Sequence, residues 1–210
     1  MVTRLGDFMN KLRTAIVGFG MSGKTIHLPA LIDHPHLDIK VILTRNEERI
    51  KEINRLYPLI DVVTDFYTII EDPAIDLVII TTSNDKHYEY TKQALLHYKH
   101  VICEKPFVDT YTKAKELFDL AKTNDVLLRV FHNRKYDGDF LTVKKLLETN
   151  KFGSLVSFYA RFDRFEPVIK DNWRFKQGHM TGLYYDLAPH LVHHAIELFG
   201  LPNQVYNTLF

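Results

Sequence analysis

The chain has 210 residues, 46% hydrophobic and 25% charged, enough for one large domain or two modest ones around a buried core. A formal net charge of +1 excludes the basic footprint of a nucleic-acid-binding protein, and no stretch is long or apolar enough to span a bilayer. The single cysteine, Cys103, excludes an internal disulfide framework and fits a reducing, cytoplasmic setting.

Residues 1–10 lack the apolar core of a signal peptide and read as an N-terminal extension. From residue 11 the pattern alternates. Strand-like runs "RTAIVG", "LDIKVILT", "DVVT", "IDLVIITT", "HVICEK" and "VLLRVFHN" are separated by helix-like runs at 22–33, 46–56, 66–71, 86–97 and 110–123. Near-continuous apolar strands alternating with helices predict a parallel sheet covered on both faces, a doubly wound α/β domain over 11–133. In such a sheet ligands bind at the carboxyl ends of the strands.

After residue 134 the alternation stops. "DFLTVKKLLETN" predicts a helix, "SLVSFYARFDRF" (154–165) an antiparallel strand with one wet face, and "LAPHLVHHAIELFG" a helix closed by Gly200 and Pro202. "QVYNTLF" predicts the start of a further strand. The expectation for 134–210 is therefore a partial α+β domain whose sheet is unfinished, loosely held or paired as a homo-oligomer through that sheet.

The first chemical signal is "IVGFGMSGKTIHLPAL", residues 16–31. Its G-x-G-x-x-G spacing would use Gly18 for a tight turn, Gly20 for close approach to a pyrophosphate and Gly23 for helix–strand packing. Amides at the helix start would face the phosphates. Ser22 is placed to cap that helix. The whole turn, with Phe19 and Met21, is assigned to a cofactor.

"LTRNEER" ends the second strand with Thr44 and Arg45 where an NAD site usually carries an acid. Arginine there suits a 2′-phosphate, so NADP is expected ahead of NAD; Arg45 also fits a solvated helix start. "TTSNDKH" puts Thr82, Asn84 and His87 on the carboxyl rim, although Ser83 or Asn84 could simply cap a helix. "CEKPF" ends the fifth strand with Glu104 and Lys105, both expected at the cofactor. Lys105 reads either as a surface lysine or as a proton-moving group beside a nicotinamide. "YYDLAPHLVHH" carries Asp186 and His190, four apart near a helix start, with Pro189 tolerable in the first turn. His190, His193 and His194 also have helical metal-ligand spacing, but no cysteine or second ligand cluster supports it and no metal is assigned. His193 and His194 otherwise read as solvent or partner contacts.

Taken in order, "GFGMSG", "TTSNDKH", "CEKPF", "HNRKYD", "NWR" and "GLYYDLAPHLVHHAIELFG" resemble the Gfo/Idh/MocA oxidoreductases over residues 12–210, most closely their NADP-type, scyllo-inositol dehydrogenase-like branch. The resemblance implies catalytic roles for Lys105, Asp186 and His190, and a cis Lys105–Pro106 bond. It places Asn133, Trp173 and Arg174 on the wall of the cofactor and substrate cleft. Three features depart from the family's: its T-P-N is Thr82-Ser83-Asn84 here, its H-x-x-D ends in His193, and its members continue well beyond Phe210, which implies a fragment or truncated product holding only part of the family's substrate domain. It implies hydride transfer between a nicotinamide and a secondary alcohol of a sugar or cyclitol. The alternative is a non-catalytic nucleotide-binding sensor or regulator, or an inactive fragment, on the same fold.

Overall fold

The structure, a computed structural model, describes residues 11–149, 151, 153–163, 165, 167–168, 175–206 and 208. The chain divides into two compact units, up to Phe131 and from His132 onward.

The first unit is a six-stranded sheet of β1 (Leu12–Val17), β2 (Leu37–Leu43), β3 (Asp61–Val63), β4 (Leu77–Ile80), β5 (His100–Glu104) and β6 (Leu128–Phe131). All neighbours are parallel, in the order β3-β2-β1-β4-β5-β6. This is the doubly wound dinucleotide-binding order, whose direction reverses between β1 and β4. The connections carry a π-turn (Gly23–His27) running into α1 (Leu28–Leu31), then α2 (Glu47–Leu56), α3 (Tyr67–Ile70), α4 (His87–Leu96) and α5 (Tyr111–Thr123). Two buried clusters flank the sheet. Ala15, Val17, Val78 and Ile80 lie in one, Ile16, Ile42, Ile53 and Ile79 in the other. Successive strand residues face opposite sides, so both faces are covered and the strands are apolar throughout.

In the second unit, a 3-10 turn (Asn133–Tyr136) leads into α6 (Gly138–Glu148), and α7 spans Gly182–Phe199. Three expectations are corrected here. Residues 154–163 form no strand, and neither do 204–206. An extended segment needs a neighbour for its amides and carbonyls, and no described strand of this unit pairs with either. The sheet expected to carry oligomer contacts is therefore absent among the described residues. Finally, α7 begins at Gly182, earlier than the sequence pattern suggested, so Pro189 lies inside the helix and not in its first turn. Proline there cannot donate to the carbonyl four residues back, that of Tyr185. Among the described residues no helix is long and apolar enough to cross a membrane.

Candidate functional site

A cleft of about 350 Å³ opens at the carboxyl ends of β1, β2 and β4, at the point where the strand order reverses. The turn after β1 forms its floor, and each glycine of that turn answers a different constraint. Gly18 has φ +97°, and a Cβ there would sit 2.9 Å from the Thr81 carbonyl oxygen. Thr81 clasps the same turn, donating from Oγ1 to the Gly18 carbonyl at 2.6 Å. A Cβ on Gly23 would lie 2.5 Å from the Gly18 carbonyl oxygen, so only glycine lets the helical segment start this close to β1. Gly20 is different: it has an ordinary φ, and a Cβ would meet nothing within 4 Å. Nothing in the protein itself demands glycine at 20, and Gly20 lines the cleft.

Phe19 also borders the cleft, but its ring packs in the core with Ile16 and Leu28, leaving its backbone to face a ligand. Met21 is exposed. Ser22 does not cap a helix as the sequence suggested: its backbone is helical, and its hydroxyl donates to the Glu104 carboxylate instead. A capping serine needs an extended backbone.

The second wall comes from the β2 end. Thr44 is buried, and exposed Arg45 is steadied by its Nε donating to the Thr64 carbonyl at 2.9 Å. Asn46 caps α2, its side chain accepting from the Arg49 amide at 3.0 Å. This places Arg49 in the first turn of α2, where it lines the cleft beside Arg45. On the opposite wall, after β4, stand Thr82, Ser83, Lys86 and Tyr90, the last stacked on Phe66 at 4.2 Å. Arg49, Lys86 and Tyr90 were not singled out from the sequence. The four-residue steps from Arg45 to Arg49 and from Lys86 to Tyr90 carried the signal, since each puts a second side chain one helical turn on.

His87 is corrected from a rim group to a support behind the rim. It has no exposed surface, with Nδ1 2.8 Å from the Pro106 carbonyl oxygen and Nε2 3.2 Å from that of Thr82. Burial lowers its pKa, so the neutral ring has one N–H, which the shorter contact to Pro106 claims. Neither Ser83 nor Lys86 caps the following helical turns with its side chain. Asn84 opens the short 3-10 turn Asn84–Lys86.

Glu104 ends β5 and is buried with His27. His27 Nε2 lies 2.9 Å from Oε1, the oxygen that Ser22 also reaches, and the Lys105 amide donates to Oε2 at 3.2 Å. Burial by itself would raise the Glu104 carboxyl; the hydrogen bonds from His27 and Ser22 outweigh it and hold the group below its ordinary range. Lys105 is half-buried, and its bond to Pro106 is cis.

In the second unit, Asp186 and His190 are both buried, one turn apart on α7, and His190 meets the Phe162 ring edge-on at 6.3 Å. Asn133 opens the 3-10 turn, half-buried. His193 and His194 are packed inside this unit. His193 stacks on His132 at 4.5 Å, and burial lowers its pKa. His194 stacks on Phe140 at 4.1 Å and donates from Nε2 to the Arg134 carbonyl at 3.1 Å. Trp173 and Arg174 lie outside the described residues.

Residues 12–132 match the model of an oxidoreductase family with an NAD-binding Rossmann fold, and residues 140–209 match the GFO/IDH/MocA C-terminal domain. The chain belongs to the Gfo/Idh/MocA oxidoreductase family. It is 42% identical to the oxidoreductase YdgJ of Escherichia coli, covering 92% of this chain and 55% of that protein. It is 36% identical to the NADP(+)-dependent scyllo-inositol 2-dehydrogenase IolW of Bacillus subtilis, covering 94% of this chain and 54% of that one. Among solved structures, the oxidoreductase yvaA of Bacillus subtilis superposes with a TM-score of 0.83 at 35% identity, over 92% of this chain and 54% of its own. The chain spans about half the length of the curated relatives it matches.

Proposed function

We propose that the chain carries NADP-linked hydride transfer at a secondary alcohol of a sugar or cyclitol. The observation that carries the nucleotide reading is Gly20, a glycine that faces an open cleft and that no packing or backbone constraint requires. Its absent side chain leaves room for a pyrophosphate against the backbone, with the helical turn's amides facing the negative charge. Arg45 and Arg49 supply two guanidiniums for a 2′-phosphate, chemistry in which arginine's forked donors match phosphate oxygens. The NADP-dependent relative supports the same choice.

A bound nicotinamide would supply the hydride acceptor for the carbinol carbon. His190 takes the hydroxyl proton on its imidazole, and Asp186, one turn earlier on the same helix, steadies the imidazolium that forms. Lys105 would hydrogen-bond the reacting oxygen through Nζ and relay that same proton on its way to the base.

Fluorescence titration with NADPH and NADH, alongside turnover at 340 nm over a panel of cyclitols and sugars beginning with scyllo-inositol, tests this reading. NADPH binding at least about tenfold tighter than NADH, with turnover on a member of the panel, is the expected result, since a charge-assisted hydrogen bond contributes roughly 1.5–3 kcal/mol. Equal affinities overturn the NADP assignment. Binding without turnover favours a nucleotide sensor.

A further inference from the structure

The buried His27–Glu104 pair is not among the residues that line the cleft and has no part in the chemistry proposed above. Ser22 stands immediately before the π-turn and His27 closes it, five residues on. On an α-helix, residues five apart stand about 140° apart around the axis. Here the Leu28 amide donates to the Gly23 carbonyl, an i→i+5 closure that returns the two side chains to one side. Both reach Glu104 Oε1, although Glu104 belongs to a different element, the end of β5.

An ionised carboxylate only accepts, so His27 donates from Nε2 and its tautomer is set. The ring itself is held against Phe131 at the end of β6, with centroids 4.6 Å apart. The remaining Glu104 oxygen accepts from the Lys105 amide. Three donors thus fix one carboxylate, and its second oxygen touches the backbone of the residue assigned to proton relay.

We infer that His27 is a positioning residue which, through Glu104, sets the backbone at Lys105 and ties it to the phosphate-side turn. The inference rests on the reading of Lys105 given above only for its consequence in turnover. Without His27, Oε1 keeps a single donor, the buried carboxylate is free to rotate, and the Lys105 amide loses a fixed acceptor.

Amide hydrogen exchange at Lys105, followed by NMR on the whole chain without cofactor, tests the coupling directly. In His27→Phe, which keeps an aromatic ring and removes the donor, exchange at Lys105 rises about tenfold, the loss of one hydrogen bond to a charged group. His27→Gln, whose amide nitrogen can replace Nε2, restores it. Unchanged Lys105 exchange in His27→Phe overturns the inference. So does equal loss in both variants at unchanged melting temperature, because the donor is then not what matters. Should His27→Phe fail to fold, 15N NMR of the imidazole in the unsubstituted protein decides: an Nε2–H tautomer is required, and an Nδ1–H tautomer overturns the inference. In the turnover assay, His27→Phe lowers kcat about tenfold with little change in NADPH affinity. If Lys105→Met leaves turnover intact, the role given to Lys105 fails, and the amide exchange still judges the coupling by itself.

Discussion

In the first unit Ile16, Ile42, Ile79 and Ile80 have no measurable exposure, whereas in the second Val156, Tyr159, Phe165 and Tyr206 are 96%, 86%, 91% and 89% exposed. Among the described residues, every buried apolar side chain of the core belongs to the first unit except Phe140 and Met180. Side chains of similar apolarity thus meet opposite environments. A parallel sheet with helices on both faces gives each strand residue a layer to pack against, and each fully buried Ile or Val contributes about 1.5–3 kcal/mol. The described part of the second unit offers two longer helices and few covering surfaces, so its stability rests on fewer contacts. The chemistry proposed for the chain is divided across the same line: Lys105 belongs to the well-packed unit, Asp186 and His190 to the other.

The most severe test of that division is at the chemical groups. Lys105→Met and His190→Ala should each lower turnover by on the order of 10²–10⁴-fold while NADPH still binds. Near-normal turnover in one of them removes that residue and leaves the chemistry to a single unit.

Limited trypsinolysis probes packing. Cleavage after exposed Lys151 and Arg161 should come first, leaving a core that ends near Phe131 and is cut roughly 10³-fold more slowly, as expected where cleavage needs global opening. Equal protection of both units would break the comparison.

Within the first unit, Gly20 and Gly23 separate binding from packing. Gly20→Val should weaken NADPH binding about 10- to 100-fold, the loss of one or two charge-assisted contacts, with the melting temperature unchanged. Gly23→Ala should lower the melting temperature, because its Cβ meets backbone at 2.5 Å. A stability loss at Gly20 comparable to that at Gly23 would make Gly20 a packing glycine.

The smallest effect concerns pH. Burial depresses the pKa of His87 in the folded protein below its ordinary 6.5. As pH falls below that value the unfolded chain takes up a proton that the folded chain refuses, so stability present at neutral pH is lost on acidification. His193 shifts in the same direction, so His87→Gln should flatten the fall in melting temperature between pH 7.5 and 5.5 only in part. Glu104 acts in a separate window: its contribution is present above pH 4.5 and disappears as pH falls through its lower folded value. An unaltered slope in His87→Gln would place the acid sensitivity elsewhere.

Strand positions and the glycine turn were legible in the sequence because their signals are local. A fully buried parallel strand must be apolar throughout, and the tight turn after β1 leaves glycine as the residue that fits at 18 and 23. The arginine at 45 was legible for the same reason, as the end of an apolar run. What the tertiary structure decided depends on partners far away in the chain. Ser22 reads as a cap until Glu104 arrives, 82 residues later, to accept its hydroxyl. His87 reads as a rim group until Pro106 supplies a buried carbonyl. His27 carries no local signal, because a donor inside an apolar segment acquires meaning only from the acceptor folded against it. Residues 154–163 alternate like a strand, but alternation specifies only which side chains share a face. Pairing needs a second backbone, and none of the described residues provides one.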